Sequence, residues 1–281
     1  MKRILFSSIL LVSALALTFN SCKKNENPDT ETQSAVDNNV CEDEFTKIAP
    51  TVNNFGIKEQ GVKSMLFRDR SACPMVYIDP ADTLDGFPIT MDLIYDTTAN
   101  AVGCADANDN KIRKGKITAT FSDHWLNVGS KITIRLYNYY VKGANGDELH
   151  YEVDSIVITH DAQYKMTTKV FGGKCTGPGW SLLWACSRSI EQTGGMGDTN
   201  PNNDVFQITG SANGTNRQGK TYTVNITQAL VKRTSCAWIE SGRSELTPQD
   251  LATRTVDFGS GNCDDEATIT INGNTFTFHM N

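Results

Sequence analysis

From Cys73 to the end of the chain, apolar residues return at every second position, and this alternation constrains the fold more than any other feature. In Lys131-Ile-Thr-Ile-Arg-Leu-Tyr, Ile132, Ile134 and Leu136 share one face. Tyr222, Val224 and Ile226 do the same within Thr221-Tyr-Thr-Val-Asn-Ile-Thr, and Thr268-Ile-Thr-Ile repeats the pattern. Threonine, valine, isoleucine and tyrosine crowd these runs, as a half-buried pleated surface prefers. Asn272-Gly273 lies between Thr-Ile-Thr-Ile and Asn-Thr-Phe-Thr-Phe and predicts a tight hairpin; Asn145-Gly146 marks a longer turn. The spacing predicts roughly twelve strands. The expected class is all-β, an antiparallel β-sandwich or large twisted sheet, with no long helix after residue 60. Before Cys73 the period differs. Val40, Phe45, Ile48 and Val52 recur at helical steps between Val36 and Phe55, which predicts one short N-terminal helix interrupted near Pro50.

The extreme N-terminus reads as an address. Lys2 and Arg3 precede an apolar run from Ile4 to Phe19, too short for a stable span. The run ends in Phe19-Asn20-Ser21-Cys22, which resembles a bacterial lipoprotein cleavage site in the looser form found in Bacteroidota. By that resemblance residues 1–21 are a signal peptide and Cys22 becomes the lipidated first residue. One acyl chain binds only marginally, whereas the several chains of such a cysteine hold stably. The mature 260 residues would carry 24 basic against 32 acidic residues, a net charge of −8. Residues 22–38 contain almost nothing apolar and are expected to be a flexible tether. Residues 39–281 are then a single all-β domain. An acidic chain of this kind lacks the basic face that a nucleic-acid partner requires, and the 39% hydrophobic content excludes a disordered chain.

A weak internal repeat divides the domain at about 65–160 and 161–281. Cys73-Pro-Met-Val-Tyr-Ile leads to Thr90-Met-Asp-Leu, Cys104 and Lys116-Ile-Thr-Ala-Thr-Phe. Cys236-Ala-Trp-Ile-Glu leads to Thr255-Val-Asp-Phe, Cys263 and Ala267-Thr-Ile-Thr-Ile. The matching settings suggest a local disulfide in each half. Cys175 and Cys186 flank the turn signal Thr176-Gly-Pro-Gly and are expected to pair across a hairpin, leaving Cys41 spare on the buried side of the helix. Six paired cysteines allow fifteen connectivities, so these remain proposals.

Several stretches resemble a group of uncharacterised Bacteroidota lipoproteins. They are Cys73-Pro-Met-Val-Tyr-Ile-Asp-Pro-Ala-Asp, Asn108-Asp-Asn-Lys-Ile-Arg-Lys-Gly-Lys-Ile, Asn138-Tyr-Tyr-Val, Phe206-Gln-Ile-Thr-Gly-Ser-Ala-Asn-Gly-Thr-Asn-Arg and Arg254-Thr-Val-Asp-Phe-Gly-Ser-Gly-Asn-Cys-Asp. The resemblance implies an exported, β-rich protein and supports pairing among Cys73, Cys104, Cys236 and Cys263. It transfers no catalytic residue, because the group carries no established activity.

Other motifs yield to simpler explanations. Gly214-Thr-Asn-Arg-Gln-Gly219-Lys220-Thr221 fits the P-loop expression, but Tyr222-Thr-Val-Asn-Ile-Thr beyond it alternates like a strand and does not open a helix, so a hairpin turn is expected and no nucleotide. Asp106-Ala-Asn108-Asp109-Asn110 lacks the glycine and glutamate of an EF-hand. His124, His150, His160 and His279 show no metal spacing, and no catalytic constellation, cofactor or metal site is expected. Trp180 and Trp184, with Leu182 between them, and Tyr137, Tyr139 and Tyr151 form aromatic sets that favour core over sugar stacking. Thr83, Thr97 and Ser155 stand in Asp-Ser/Thr-apolar or similar triplets of the kind O-glycosylated in Bacteroidota. The expected function is that of an outer-membrane lipoprotein of the cell envelope, periplasmic or surface-exposed. It would be a non-enzymatic binding or structural module whose partners are the membrane and a glycan or envelope protein. The alternatives are a glycan-binding accessory lipoprotein and, behind it, a secreted hydrolase.

Overall fold

Among the described residues the alternating runs become fifteen strands. The computed structural model describes residues 29–60, 73–78, 86–98, 102–105, 111–125, 127–143, 146–197 and 200–280. The α-helix α1 (Gln33–Gln60) comes first among the described elements. The strands are β1 (Met75–Ile78), β2 (Ile89–Asp96), β3 (Cys104–Ala105), β4 (Ile112–Phe121), β5 (Lys131–Lys142), β6 (Glu148–Glu152), β7 (Ser155–Ala162) and β8 (Lys165–Gly177). They continue with β9 (Trp180–Gly194), β10 (Val205–Thr215), β11 (Thr221–Arg233), β12 (Ser241–Pro248), β13 (Arg254–Ser260), β14 (Glu266–Ile271) and β15 (Asn274–His279).

All of them belong to one antiparallel sheet in the order β1-β2-β4-β5-β6-β8-β9-β10-β11-β12-β13-β14-β15, with β3 on β4. β6 and β7 share one place in that order: each pairs with β5 on one side and β8 on the other. The fold is the expected all-β class, built on one continuous antiparallel sheet. Its inner face curls around α1, and the two form one core from Phe45 and Ile48 on the helix to Ile134 and Ile269 on the sheet. The Asn272-Gly273 turn joins β14 to β15 with both residues at positive φ (49° and 85°), as a two-residue hairpin of this hand requires.

Two bulges set which residues face the helix. In β5, Lys114 pairs with Tyr140 but Lys116 with Tyr137, so Asn138 is an extra residue with φ 47°. Gly115 opposite it has φ 88°, and a Cβ there would collide with the Asn138 carbonyl. In β8, Val170 pairs with Cys186 but Gly173 with Trp184, so one extra residue lies between them. Past each bulge, alternation resumes on the opposite phase.

The helix departs from its expected length. It runs 28 residues, continuous through position 50. Residues 33–38, expected in the tether, are helical, and Ser34 and Asp37 are fully buried. Their polarity is matched by Asn216 and Arg217, which lie beyond the end of β10. Glu31 caps the helix start by accepting from the Ser34 amide at 2.7 Å.

Cys73 is joined to Cys104, and Cys236 to Cys263, with Cα separations of 5.9 and 5.7 Å. The Cys175–Cys186 pairing expected from the sequence is not formed: both are free, buried thiols, as is Cys41. Register explains this. Cys186 lies opposite Val170 and Cys175 opposite Leu182, with the Gly173–Trp184 rung between them. The step along β9 from Leu182 to Cys186 amounts to about 13 Å at the usual strand rise, beyond the reach of a disulfide. Asp92 on β2 pairs with Thr118 on β4, and Asp257 on β13 pairs with Thr268 on β14.

Candidate functional site

A hydropathy scale would leave the first turns of α1 in solvent; ion pairs place them inside. Glu44 accepts from Arg113 Nε and Nη2, each at 3.2 Å, and from the Tyr139 hydroxyl at 2.7 Å. Glu42 accepts from Arg188 Nε at 2.8 Å and from Nη2 at 2.5 Å. Asp43 takes Lys111 at 2.7 Å. Asp37 takes the Arg217 amide and Nε, each at 2.7 Å. Asp29 and Glu31, just before the helix, both meet Arg254 Nη2, at 2.8 and 3.2 Å. The cations come from β4, β9, β13 and the loops before β4 and after β10, so a row of acids on one helix is read by strands across the sheet. Buried pairs of this kind add little net stability over apolar substitutes, yet they fix register, because any slip strands a charge.

The P-loop-lettered turn is the hairpin between β10 and β11, and it serves this docking. Asn216 is buried, and its Oδ1 accepts from the Gln218 and Lys220 amides at 2.9 Å. Its Nδ2 donates to the Ser34 hydroxyl at 3.0 Å. The Arg217 amide, the kind of donor that would cradle a phosphate, is taken by Asp37.

Burial raises the Cys175 and Cys186 thiols to about 12, with Glu42 as a further cause at Cys186. Burial, and then the Glu44 carboxylate, pushes the Tyr139 hydroxyl well above its ordinary value. Burial also lowers Lys232 to about 8, although its ammonium donates to the Cys236 and Trp238 carbonyls at 2.7 and 3.2 Å. Each of these shifts disfavours the charged form, so the groups concerned are held neutral or kept expensive to charge.

The outer face of the sheet carries a groove of about 690 Å³ across β8 to β12. Exposed Asn213, Thr223, Thr247 and Gln249 line it with hydroxyls and amides. Leu183, 52% exposed, adds an apolar wall. With the exposed Asp250 carboxylate also in the lining, the groove suits a polar ligand that both donates and accepts hydrogen bonds.

The aromatic sets divide. Trp184, Tyr139 and Tyr151 are buried on the inner face. Trp184 Nε1 donates to Asn38, and its ring stacks on Phe45 at 5.7 Å. Tyr137, which shares a face with Tyr139 in a plain alternation, is 47% exposed because the Asn138 bulge lies between them. Trp180 is half-buried beneath the Arg217 guanidinium, 4.0 Å from the ring centroid. Thr97 is exposed and Ser155 half-buried at the start of β7. Cys22, Thr83 and the Asp106–Asn110 segment lie outside the described residues. Among the described residues no group of three or more His, Cys, Asp or Glu is placed to hold a metal, and no helix is long and apolar enough to cross a membrane. The sequence signal that was there to find was the acid-rich helix start facing an arginine supply, but nothing local tells which arginine meets which acid.

No family model, curated protein or solved structure matches this chain.

Proposed function

We propose that this chain is an exported, lipid-anchored protein of the cell envelope and that it acts as a non-enzymatic binding module through the outer groove. The groove carries the binding half of this proposal: across β8 to β12 the outer face holds a hollow of about 690 Å³ rimmed by threonine, asparagine and glutamine. Support for the anchor comes from the signal-like run ending in Ser21-Cys22 and from two disulfides, which belong to oxidising compartments. The resemblance to Bacteroidota lipoproteins is in keeping with both.

Labelled palmitate tests the anchor. Wild-type protein is expected to take up label and Cys22→Ala to take up none; an unlabelled wild type overturns the assignment. The second reading, a glycan-binding accessory lipoprotein, is favoured by the hydroxyl and amide lining. A glycan array with the wild type and with Asn213→Ala is the test. Binding that weakens in the variant supports it, and an array without binding overturns it.

A further inference from the structure

We infer that the end of the sheet bearing the β8–β9, β10–β11 and β12–β13 turns is the face turned to the lipid headgroups of the bilayer that holds Cys22. This rests on the proposed anchor and goes on to specify how the body is presented. The register puts these turns at one end: Trp184 pairs with Gly214, Gly214 with Tyr222, Tyr222 with Pro248, and Leu246 with Arg254. The chain enters the body at this same end. Asp29 accepts from Arg254 Nη2 at 2.8 Å and from the Ala252 amide at 3.3 Å, and two residues later Glu31 meets the same guanidinium. Six residues separate Cys22 from Asp29, and the seven steps between them span at most about 25 Å at full extension.

The opposite end is out of that range in an upright body. β9 alone has 15 residues, about 45 Å at the usual rise, and it runs from Trp180 at the near end to the 195–197 turn at the far one. The near end also has side chains suited to an interface. Trp180 lies under the Arg217 guanidinium, Lys220 closes the β10–β11 turn, and Leu251 lies in the β12–β13 turn. An indole stacked with a cation fits the boundary between headgroups and water. The outer groove, lined in part by Thr215, Thr221 and Leu251, opens beside this end.

The test uses the full lipidated protein in vesicles of phosphatidylethanolamine and phosphatidylglycerol. A fluorophore is placed at Gln218→Cys in the near turn or at Met196→Cys in the far one, both exposed positions, and a headgroup-attached quencher is included in the vesicles. Several-fold stronger quenching at 218 than at 196 is expected. Equal quenching at both, or stronger quenching at 196, overturns the orientation while leaving the anchor standing. A wild type that fails to co-sediment with the vesicles overturns the anchor and this inference with it.

Discussion

Glu44 and Tyr139, 95 residues apart in the chain, meet in a hydrogen bond of 2.7 Å inside the protein. With Arg113 on the same carboxylate, they join the N-terminal helix to β4 and β5. The neighbouring Glu42–Arg188 pair does the same for β9. Such pairs explain why a helix so poor in apolar residues is enclosed along residues 34–49, none of which is exposed.

Removing one partner of a buried pair should be costly. Glu42→Ala leaves Arg188 buried and uncompensated and is expected to lower unfolding stability by about 3–5 kcal/mol. The double variant Glu42→Leu/Arg188→Met is expected to regain most of that loss. Denaturant midpoints measure both, and a double variant no more stable than the single one contradicts the assignment.

Gly115→Ala should destabilise by at least about 2 kcal/mol, because φ is 88° and the new Cβ meets the Asn138 carbonyl. Thermal unfolding reads this directly. A change below a few tenths of a kcal/mol would mean that the β4–β5 bulge is absent.

The strand pattern was legible in the sequence because its cause is local. Ile132 and Ile134 point inward as the alternation demands, and Asn272-Gly273 turns where its backbone freedom predicts. Val40, Phe45, Ile48 and Val52 are all buried, as their helical spacing implies. What escaped was non-local. Asp37 looks like tether until Arg217, 180 residues on, is set beside it. Tyr137 and Tyr139 look like one face until a bulge adds a residue between them, and the same event in β8 helps separate Cys175 from a partner at Cys186. The groove is lined by residues of strands far apart in the chain, from Leu183 on β9 to Thr247 on β12, which no window of sequence displays.

The free thiols give a count. In a chain beginning at residue 23, Cys41, Cys175 and Cys186 should resist alkylation in the native state. Unfolding without reductant should expose these three, and reduction should bring the total to seven. Mass spectrometry after iodoacetamide distinguishes this from a Cys175–Cys186 disulfide, which would leave one thiol.

Stability should also depend on pH through Lys232, which faces Lys47, Asp43 and Glu240 and is lowered from 10.5 to about 8. Between these values the unfolded chain holds the proton that the folded protein has released, so stability rises with pH across about 8 to 10.5. Cys175 and Cys186 act in the opposite direction. Their folded values of about 12 lie above the ordinary 9.0, so their contribution is lost as pH rises from 9 to 12. The difference between wild type and Lys232→Met isolates the lysine, and it should change by more than about 1 kcal/mol over its window; a flat difference contradicts the burial of that ammonium.

Amide hydrogen exchange over residues 34–49 tests most directly whether the sheet is built around the helix. Enclosure predicts that these amides exchange as slowly as those of β9 and β11, opening only when the whole protein unfolds. Exchange there within seconds, while the strands stay protected, would show that the helix is not held in the sheet.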